Sequence, residues 1–235
     1  MVNPPVISFC KLTLGYGKHA VLQQVNAQIP RGALLAIVGA NGSGKSTLLK
    51  ALVGELRPLS GSIHLHYVKA RDLAYLPQRA ALEQQFPINV RECVAMGLWQ
   101  QVGAFGAVSA MQEQQIAQAL NTVGLSADQQ TPLSRLSGGQ MQRVLFARLL
   151  LQNASVLLLD EPFNALDEKT IQDLMQLIRD WHQQGRTILT VLHDWALVRR
   201  YFPNTLWLTQ GQMRYGSTAE LLPSALERWA AYNAV

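Results

Sequence analysis

One stretch constrains this chain more than any other: ALLAIVGANGSGKSTLLKALVGEL, Ala33 to Leu56. A short apolar run of strand length enters a cluster of glycines and leaves it as a helical pattern. Gly39, Gly42 and Gly44 allow tight turns and a close backbone approach. The spacing fits G-x-x-x-x-G-K-[ST] between a buried strand and a helix. Successive N–H groups of such a loop point inward and hold phosphate oxygens, aided by the positive end of the following helix. The candidate phosphate site is therefore Gly39, Ala40, Asn41, Gly42, Ser43, Gly44, Lys45, Ser46 and Thr47. Lys45 is placed to reach the β- and γ-phosphates and Ser46 to ligate Mg²⁺.

The rest of the chain tells which scaffold carries this loop. VISFCKLTLGYG and AVLQQVNAQIPRG alternate as an antiparallel hairpin near the N-terminus. GSIHLHYV reads as a half-exposed strand and LAYLPQ as a short one. From about Arg79 to Arg135 the chain is rich in Gln and Ala and reads as a helical insertion. There Ser109 and Gln112 form a capping-box pattern, and Met111, Ile116, Leu120 and Val123 follow at helical spacing. Afterwards QMQRVLFARLLLQ is a helix and SVLLLD a buried strand. Ile171, Leu174, Met175, Ile178 and Trp181 line one helix face as core, TILTVLH is a further strand, and TLWLTQGQMRYGS closes as a hairpin on Gly211. Apolar strands alternating with helices predict an α/β fold with a parallel sheet covered on both faces.

Open α/β sheets bind ligands at the carboxyl ends of their strands. Asp160 emerges there from SVLLLD and is the candidate for the Mg²⁺ shell, through water. Glu161 follows and is the candidate to polarise an attacking water. His193, after TILTVL, falls on the same edge and can contact a γ-phosphate or orient Glu161 and its water. Gln78, after LAYLP, is a candidate Mg²⁺ ligand or γ-phosphate sensor. Tyr16, in LGYGKHAVL, offers a ring to stack on adenine.

Composition sets the outer limits. The 235 residues, 49% hydrophobic and 15% charged, suit a folded chain with a sizeable core. The net charge of +5 permits contact with nucleic acid or an anionic membrane face. With only the Arg199-Arg200 pair as a basic cluster, it reads as a mildly basic surface. Cys10 and Cys93 form no framework, suit a reducing compartment and, among apolar neighbours, read as small buried residues. No apolar run reaches about eighteen residues, so none reads as a membrane span. The start lacks a charged segment followed by an apolar block, so no secretory signal is expected. The tail after Leu222 reads as too short for a regulatory domain. His64 and His66 alternate and face one side of a strand; two ligands without Cys, Asp or a third His nearby do not make a metal site, and they read as surface residues.

GANGSGKST, Gln78, LSGGQ (Leu136 to Gln140), VLLLDEP, NALD (Asn164 to Asp167) and His193 stand in the order found in ATP-binding-cassette (ABC) ATPases. The chain resembles that family over essentially its whole length. The resemblance implies a single domain, residues 1–235: a P-loop NTPase (RecA-like) parallel core, an N-terminal antiparallel β subdomain, and a helical subdomain at about 79–135. It implies ATP and Mg²⁺ as cofactors, and two copies meeting head to tail around two ATP molecules. Leu136, Ser137, Gly138, Gly139 and Gln140 then contact the γ-phosphate held by the other copy, with Asp167 at the same joint. Ser137 to Gly139 begin a helix, where free N–H groups and partial positive charge suit an anion.

FPINVRECVAMGLW (Phe86 to Trp99) and Phe163 in DEPFNALD resemble the manganese- and zinc-importing members. This implies a separate membrane permease contacted around Phe86–Trp99, an extracytoplasmic metal-binding protein acting through it, and a peripheral place on the cytoplasmic face of the inner membrane. Val90, Val94 and Met96 in that segment read as helical core. Alternatives are an importer for an iron chelate, haem or cobalamin, or a soluble ABC ATPase without a transport role. One cassette with neither heptad insertion nor basic arm argues against nucleic acid as a partner.

Overall fold

The computed structural model describes residues 3–78, 87–103 and 106–222. Part of the stretch expected to open the helical insertion, from Arg79 to Phe86, lies outside the described residues. Two long strands come first, β1 (Pro5–Tyr16) and β2 (His19–Pro30), paired antiparallel as expected. β3 (Leu34–Gly39) has all six residues buried and leads through the glycine loop into α1 (Lys45–Leu52). β4 (Ser60–Leu65) joins β1, giving a three-stranded sheet in the order β2-β1-β4.

The second sheet is built from β5 (Leu73–Leu76), β6 (Val156–Asp160), β7 (Thr187–Val191), β3, β8 (Asn204–Thr209) and β9 (Gln212–Ser217), in the order β5-β6-β7-β3-β8-β9. β6, β7, β3 and β8 run parallel, and β8–β9 is the expected antiparallel hairpin. Gln210 and Gly211 both take positive φ, 49° and 75°, as a two-residue turn matched to strand twist requires. β6 and β7 have no exposed position, so only a sheet covered on both sides accommodates them.

Helices α2 (Val90–Ala95), α3 (Trp99–Val102), α4 (Ala110–Thr122), α5 (Gly138–Gln152), α6 (Glu168–Gln183) and α7 (Trp195–Tyr201) complete the described elements. The chain divides into two compact units. The first comprises residues 1–75, 155–162 and 181–235; the second comprises 76–154 and 163–180.

The first unit holds one continuous core. Ile7, Phe9, Leu12 and Leu14 of β1 meet Leu35 and Ile37 of β3, Leu48 and Leu49 of α1, and Leu158 of β6 in one buried cluster. Each such side chain contributes about 1.5–3 kcal/mol by leaving water. The glycine loop is thus anchored at both ends.

In the second unit α2, α4 and α5 bury Val90, Val94, Ile116, Leu120, Val144 and Phe146. The Ser109–Gln112 capping box forms in both directions, Ser109 N–H to Gln112 Oε1 at 2.9 Å and Gln112 N–H to Ser109 Oγ at 3.3 Å. A second box, Asn89 with Glu92, starts α2. Ion pairs at the surface tie the helices: half-buried Arg91 to half-buried Glu113, and half-buried Arg143 to exposed Asp173 at 2.7 Å.

Of the residues at helical spacing, Met111 in the first turn of α4 is 68% exposed, while Ile116, Leu120 and Val123 are buried. One expectation is corrected. Cys10 is exposed and only Cys93 is buried. On β1 the core face is Ile7 and Phe9; Cys10 falls on the other face, next to a bulge at Lys11 with φ 44°. Of the other residues read as core, Leu174, Met175, Ile178 and Trp181 are buried, whereas Ile171 and Met96 are half-buried.

Candidate active site

The strand order puts β7 between β6 and β3. Asp160 at the end of β6 is level with Val191 on β7, and Val191 lies beside β6 two residues before His193. β3 carries the glycine loop from the same edge. Parallel pairing therefore delivers the loop, Asp160, Glu161 and His193 to one rim, all within the first unit.

The loop is built for close approach. Gly39 has φ 155°, and a Cβ there would lie 2.4 Å from the Leu208 carbonyl oxygen and 2.5 Å from Ser43 Oγ. Gly44, φ 99°, caps α1 in the left-handed region. Asn41 and Gly42 are exposed and Ser46 is half-buried, whereas Lys45 is 6% exposed. Lys45 Nζ donates to the carbonyl oxygens of Gly39 and Ala40, both at 2.9 Å. Burial pushes the Lys45 ammonium below its ordinary value, against the attraction of Glu161 and Asp160. Its charge is thus held inside the loop by two neutral dipoles, and an anionic ligand would improve on both.

Asp160 is only 2% exposed. Burial raises its carboxyl above the usual range; hydrogen bonding from Ser46 opposes this, the nearby Glu161 charge adds to it, and Tyr75 and Lys45 oppose it. The Tyr75 hydroxyl donates to Oδ2 at 3.5 Å. Burial and then the Asp160 charge push the Tyr75 phenol well up. Asp160 Oδ1 and Ser43 Oγ are buried and lack a hydrogen-bond partner. Two orphaned oxygens flanking a buried lysine suit a polar ligand. The oxygens of Ser46 and Asp160 are the hard donors that Mg²⁺ prefers, so these residues fit that ion.

Glu161 has φ 49°, a left-handed backbone that a non-glycine residue adopts at a cost. Its N–H donates to the Val191 carbonyl at 3.2 Å, fixing the turn against β7. Glu161 Oε1 stands 2.5 Å from His193 Nε2. Backbone strain and the histidine contact together aim one carboxylate. Tyr16 ends β1, 52% exposed, opposite His19 in the turn to β2.

The other candidates belong to the second unit. Ser137 is the N-cap of α5: its hydroxyl accepts from Gln140 N–H at 3.2 Å, and Gln140 Oε1 accepts from Ser137 N–H at 3.0 Å. The Ser-x-x-Gln spacing inside LSGGQ is a capping box, a signal present in the sequence itself. A Cβ on Gly138 would meet nothing within 4 Å, while one on Gly139 would lie 3.4 Å from Thr170 Oγ1. Leu136 is buried. Asp167 caps α6, accepting from Thr170 N–H at 2.9 Å and Thr170 Oγ1 at 2.7 Å. These bonds, the backbone one first, hold its carboxyl below the ordinary range. Gln78 also lies in this unit, as do Val90 and Val94 of the Phe86–Trp99 segment, whose Trp99 is 62% exposed. Phe86 is outside the described residues.

Known proteins resemble this chain in sequence and fold. The family model described as ABC transporter matches residues 22–164. The zinc transport system ATP-binding protein TroB of Treponema pallidum is 39% identical over 84% of this chain and 76% of its own length. The manganese transport system ATP-binding protein MntB of Bacillus subtilis is 35% identical over 88% of this chain and 84% of its own. A solved metal-chelate type ABC transporter in an inward-facing conformation superposes with a TM-score of 0.84 at 30% identity, covering 95% of this chain and 89% of that one. A phosphate loop seated on a parallel sheet, relatives matched over most of their length and a family model spanning the loop and the Asp160 strand agree: the chain belongs to the ABC transporter family.

Proposed function

We propose that this chain is the ATP-hydrolysing subunit of an importer for a divalent metal ion, zinc or manganese. It works as a head-to-tail pair of copies on the cytoplasmic face of the membrane, beneath a separate permease. The observation that carries the catalytic part is Glu161, held at φ 49° with its carboxylate 2.5 Å from His193. The metal part is supported by relatives named for zinc and manganese transport. Among the described residues no helix is long and apolar enough to cross a membrane, which fits a subunit that needs a permease.

The loop amides from Gly39 to Thr47 and the Lys45 ammonium bind the β- and γ-phosphates, and Tyr16 stacks on the adenine. Ser46, with Asp160 through water, would hold Mg²⁺, and Gln78 is the remaining candidate ligand. When bound, the ion neutralises phosphate charge and orients the oxygens for in-line attack. Glu161 orients and polarises the attacking water, and His193 holds Glu161 and faces the γ-phosphate. Leu136 to Gln140 of one copy cover the phosphates held by the other, with Asp167 at the joint. Closure then requires ATP, and hydrolysis releases it. The surface around Phe86–Trp99 meets the permease, and an extracytoplasmic binding protein delivers the ion to it. No step uses nucleic acid.

Uptake into vesicles carrying the subunit and its permease tests the proposal. Zinc or manganese should accumulate with wild type and not with Glu161→Gln. Equal uptake by both rejects the role. The likeness to a metal-chelate type transporter supports a second reading, import of an iron chelate, haem or cobalamin. ATP-dependent uptake of one of those, and of neither ion, would favour it.

A further inference from the structure

We propose that His64 and His66 form a metal site of their own, an open two-imidazole chelate for a zinc-class divalent ion on the surface of the β2-β1-β4 sheet. The site shares no residue with the proposed ATP site.

The pleat puts both rings on one face. His64 closes the cross-strand pair with Ser8, Ser62 pairs with Cys10, and His66 follows just past β4, its N–H bonded to the Val6 carbonyl at 2.9 Å. The opposite face carries Ile7, Phe9, Ile63 and Leu65 into the core. The histidine face is wet: His64, Cys10 and Gln28 are exposed and His66 is half-buried. The ring centroids lie 6.5 Å apart. Two imidazoles sharing one tetrahedral ion have centroids about 5 Å apart, as follows from a metal–nitrogen bond of roughly 2 Å. Side-chain rotation alone spans the difference, since the strand fixes the backbone and surface rotamers are free to turn.

Each ring bonds a serine, and turning toward a shared ion gives up or re-forms that bond. His66 Nε2 is 2.9 Å from Ser8 Oγ, and His64 Nε2 is 2.8 Å from Ser62 Oγ. A ring bonded through Nε2 leaves Nδ1 to offer to a metal. Ser8 is buried, so the support under His66 is rigid.

Among the described residues, no group of three or more His, Cys, Asp or Glu side chains is placed to hold a metal. The proposed site is therefore not a closed structural zinc, and it goes beyond the sequence reading of the two histidines as surface residues. What remains is a site with two protein ligands and the other positions filled by water: labile and exchangeable. Cys10 lies directly opposite Ser62 and diagonal to His64, on the side of His64 away from His66. Neutral imidazoles select zinc, copper(II) and nickel over manganese and magnesium.

The test uses the full chain, stripped of metal and free of nucleotide, titrated with Zn²⁺, Ni²⁺, Cu²⁺ and Mn²⁺ salts by calorimetry. Wild type should take up one zinc-class ion, with manganese at least tenfold weaker. His64→Ala and His66→Ala should each weaken zinc binding at least tenfold. Bound Cu²⁺ should show two-nitrogen coupling by electron paramagnetic resonance, reduced to one in each single variant. ATPase activity without added transition metal should stay within twofold of wild type, showing that the variants fold. A double variant that binds zinc like wild type overturns the proposal. So does a single variant with undiminished affinity, since that removes the chelate. A failure here leaves the transport reading untouched, because uptake is read on the ATP site.

Discussion

Two glycine-rich loops begin helices in this chain, and they differ in who needs the glycines. In Gly39 to Thr47 the need is internal. A Cβ on Gly39 collides with the Leu208 carbonyl, and one on Gly44 would stand 3.0 Å from Val21. In LSGGQ the capping box satisfies the Ser137 and Gln140 N–H groups, leaving those of Gly138 and Gly139 without a box partner, and Gly138 faces open space. Among the described residues nothing requires a glycine at 138. An open small position at a helix start is what the proposed contact with another copy's phosphate needs. The comparison sets a loop whose glycines serve its own packing against one whose glycine at 138 does not.

The sharpest way to break this contrast is Gly39→Ala. Overlap with backbone cannot be relieved by a rotamer, and φ 155° is closed to alanine. Stability should fall by about 3 kcal/mol or more, read by urea denaturation without nucleotide. A loss below about 1 kcal/mol would show that the loop is not built around that contact.

Next in size is Ser137→Arg. ATPase turnover should fall about a hundredfold while ATP affinity of the isolated chain stays within threefold, because the blocked surface serves the other copy. Ser137→Ala controls for the lost cap, worth about 1 kcal/mol of helix stability in both variants. If Ser137→Arg abolished ATP binding by the monomer, LSGGQ would belong to its own chain's site, and the contrast would collapse.

Much of this was legible in sequence, and the physical reason is regularity. The loop motif, the buried strands β3, β6 and β7, and the turn at Gly211 follow local rules, and the chain obeys them. The unread parts depend on three-dimensional context. No spacing rule reveals that Glu161 sits at φ 49°, because the strain is imposed by its N–H bond to Val191 on another strand. No pattern shows that Lys45 folds onto the Gly39 and Ala40 carbonyls. Cys10 was misread because apolar neighbours say less than alternation does: Ser8 and Cys10 share the wet face between core residues. The capping roles of Ser137 and Asp167, by contrast, follow local rules and are readable beside the phosphate reading.

A smaller effect tests what the first loop costs its own chain. Asp160 keeps one buried oxygen without a partner and a carboxyl pushed upward by burial. A raised folded-state value means that stability is fully present below the ordinary carboxylate range and is lost as pH rises through the folded value. Asp160→Asn removes that loss. Without nucleotide and Mg²⁺, the variant should be more stable than wild type by about 1 kcal/mol near pH 8. The gain should vanish as pH falls below the ordinary aspartate range, and ATPase activity should be lost throughout. Equal stability at both pH values would show that the carboxylate is not strained by its burial. No such stability gain is expected in LSGGQ, where no buried orphan exists among the described residues.

The smallest structural effect carries the clearest reading of the second loop. Gly138→Ala adds one methyl group in open space at the first turn of α5, with a backbone that alanine adopts freely. Restricting the unfolded chain and improving helix propensity should raise stability by about 0.5 kcal/mol. In the isolated monomer nothing else should change: ATP affinity, helix content and the Ser137–Gln140 box remain. In the assembled pair the same methyl group would stand between the α5 amides and a phosphate from the other copy, so turnover should fall about tenfold. A chain made more stable and less active by one methyl group, at a site where its own atoms leave room, can only be sensing something outside itself. If turnover rose or held with the stability gain, the openness at Gly138 would be plain surface, and the head-to-tail arrangement would lose its strongest structural support.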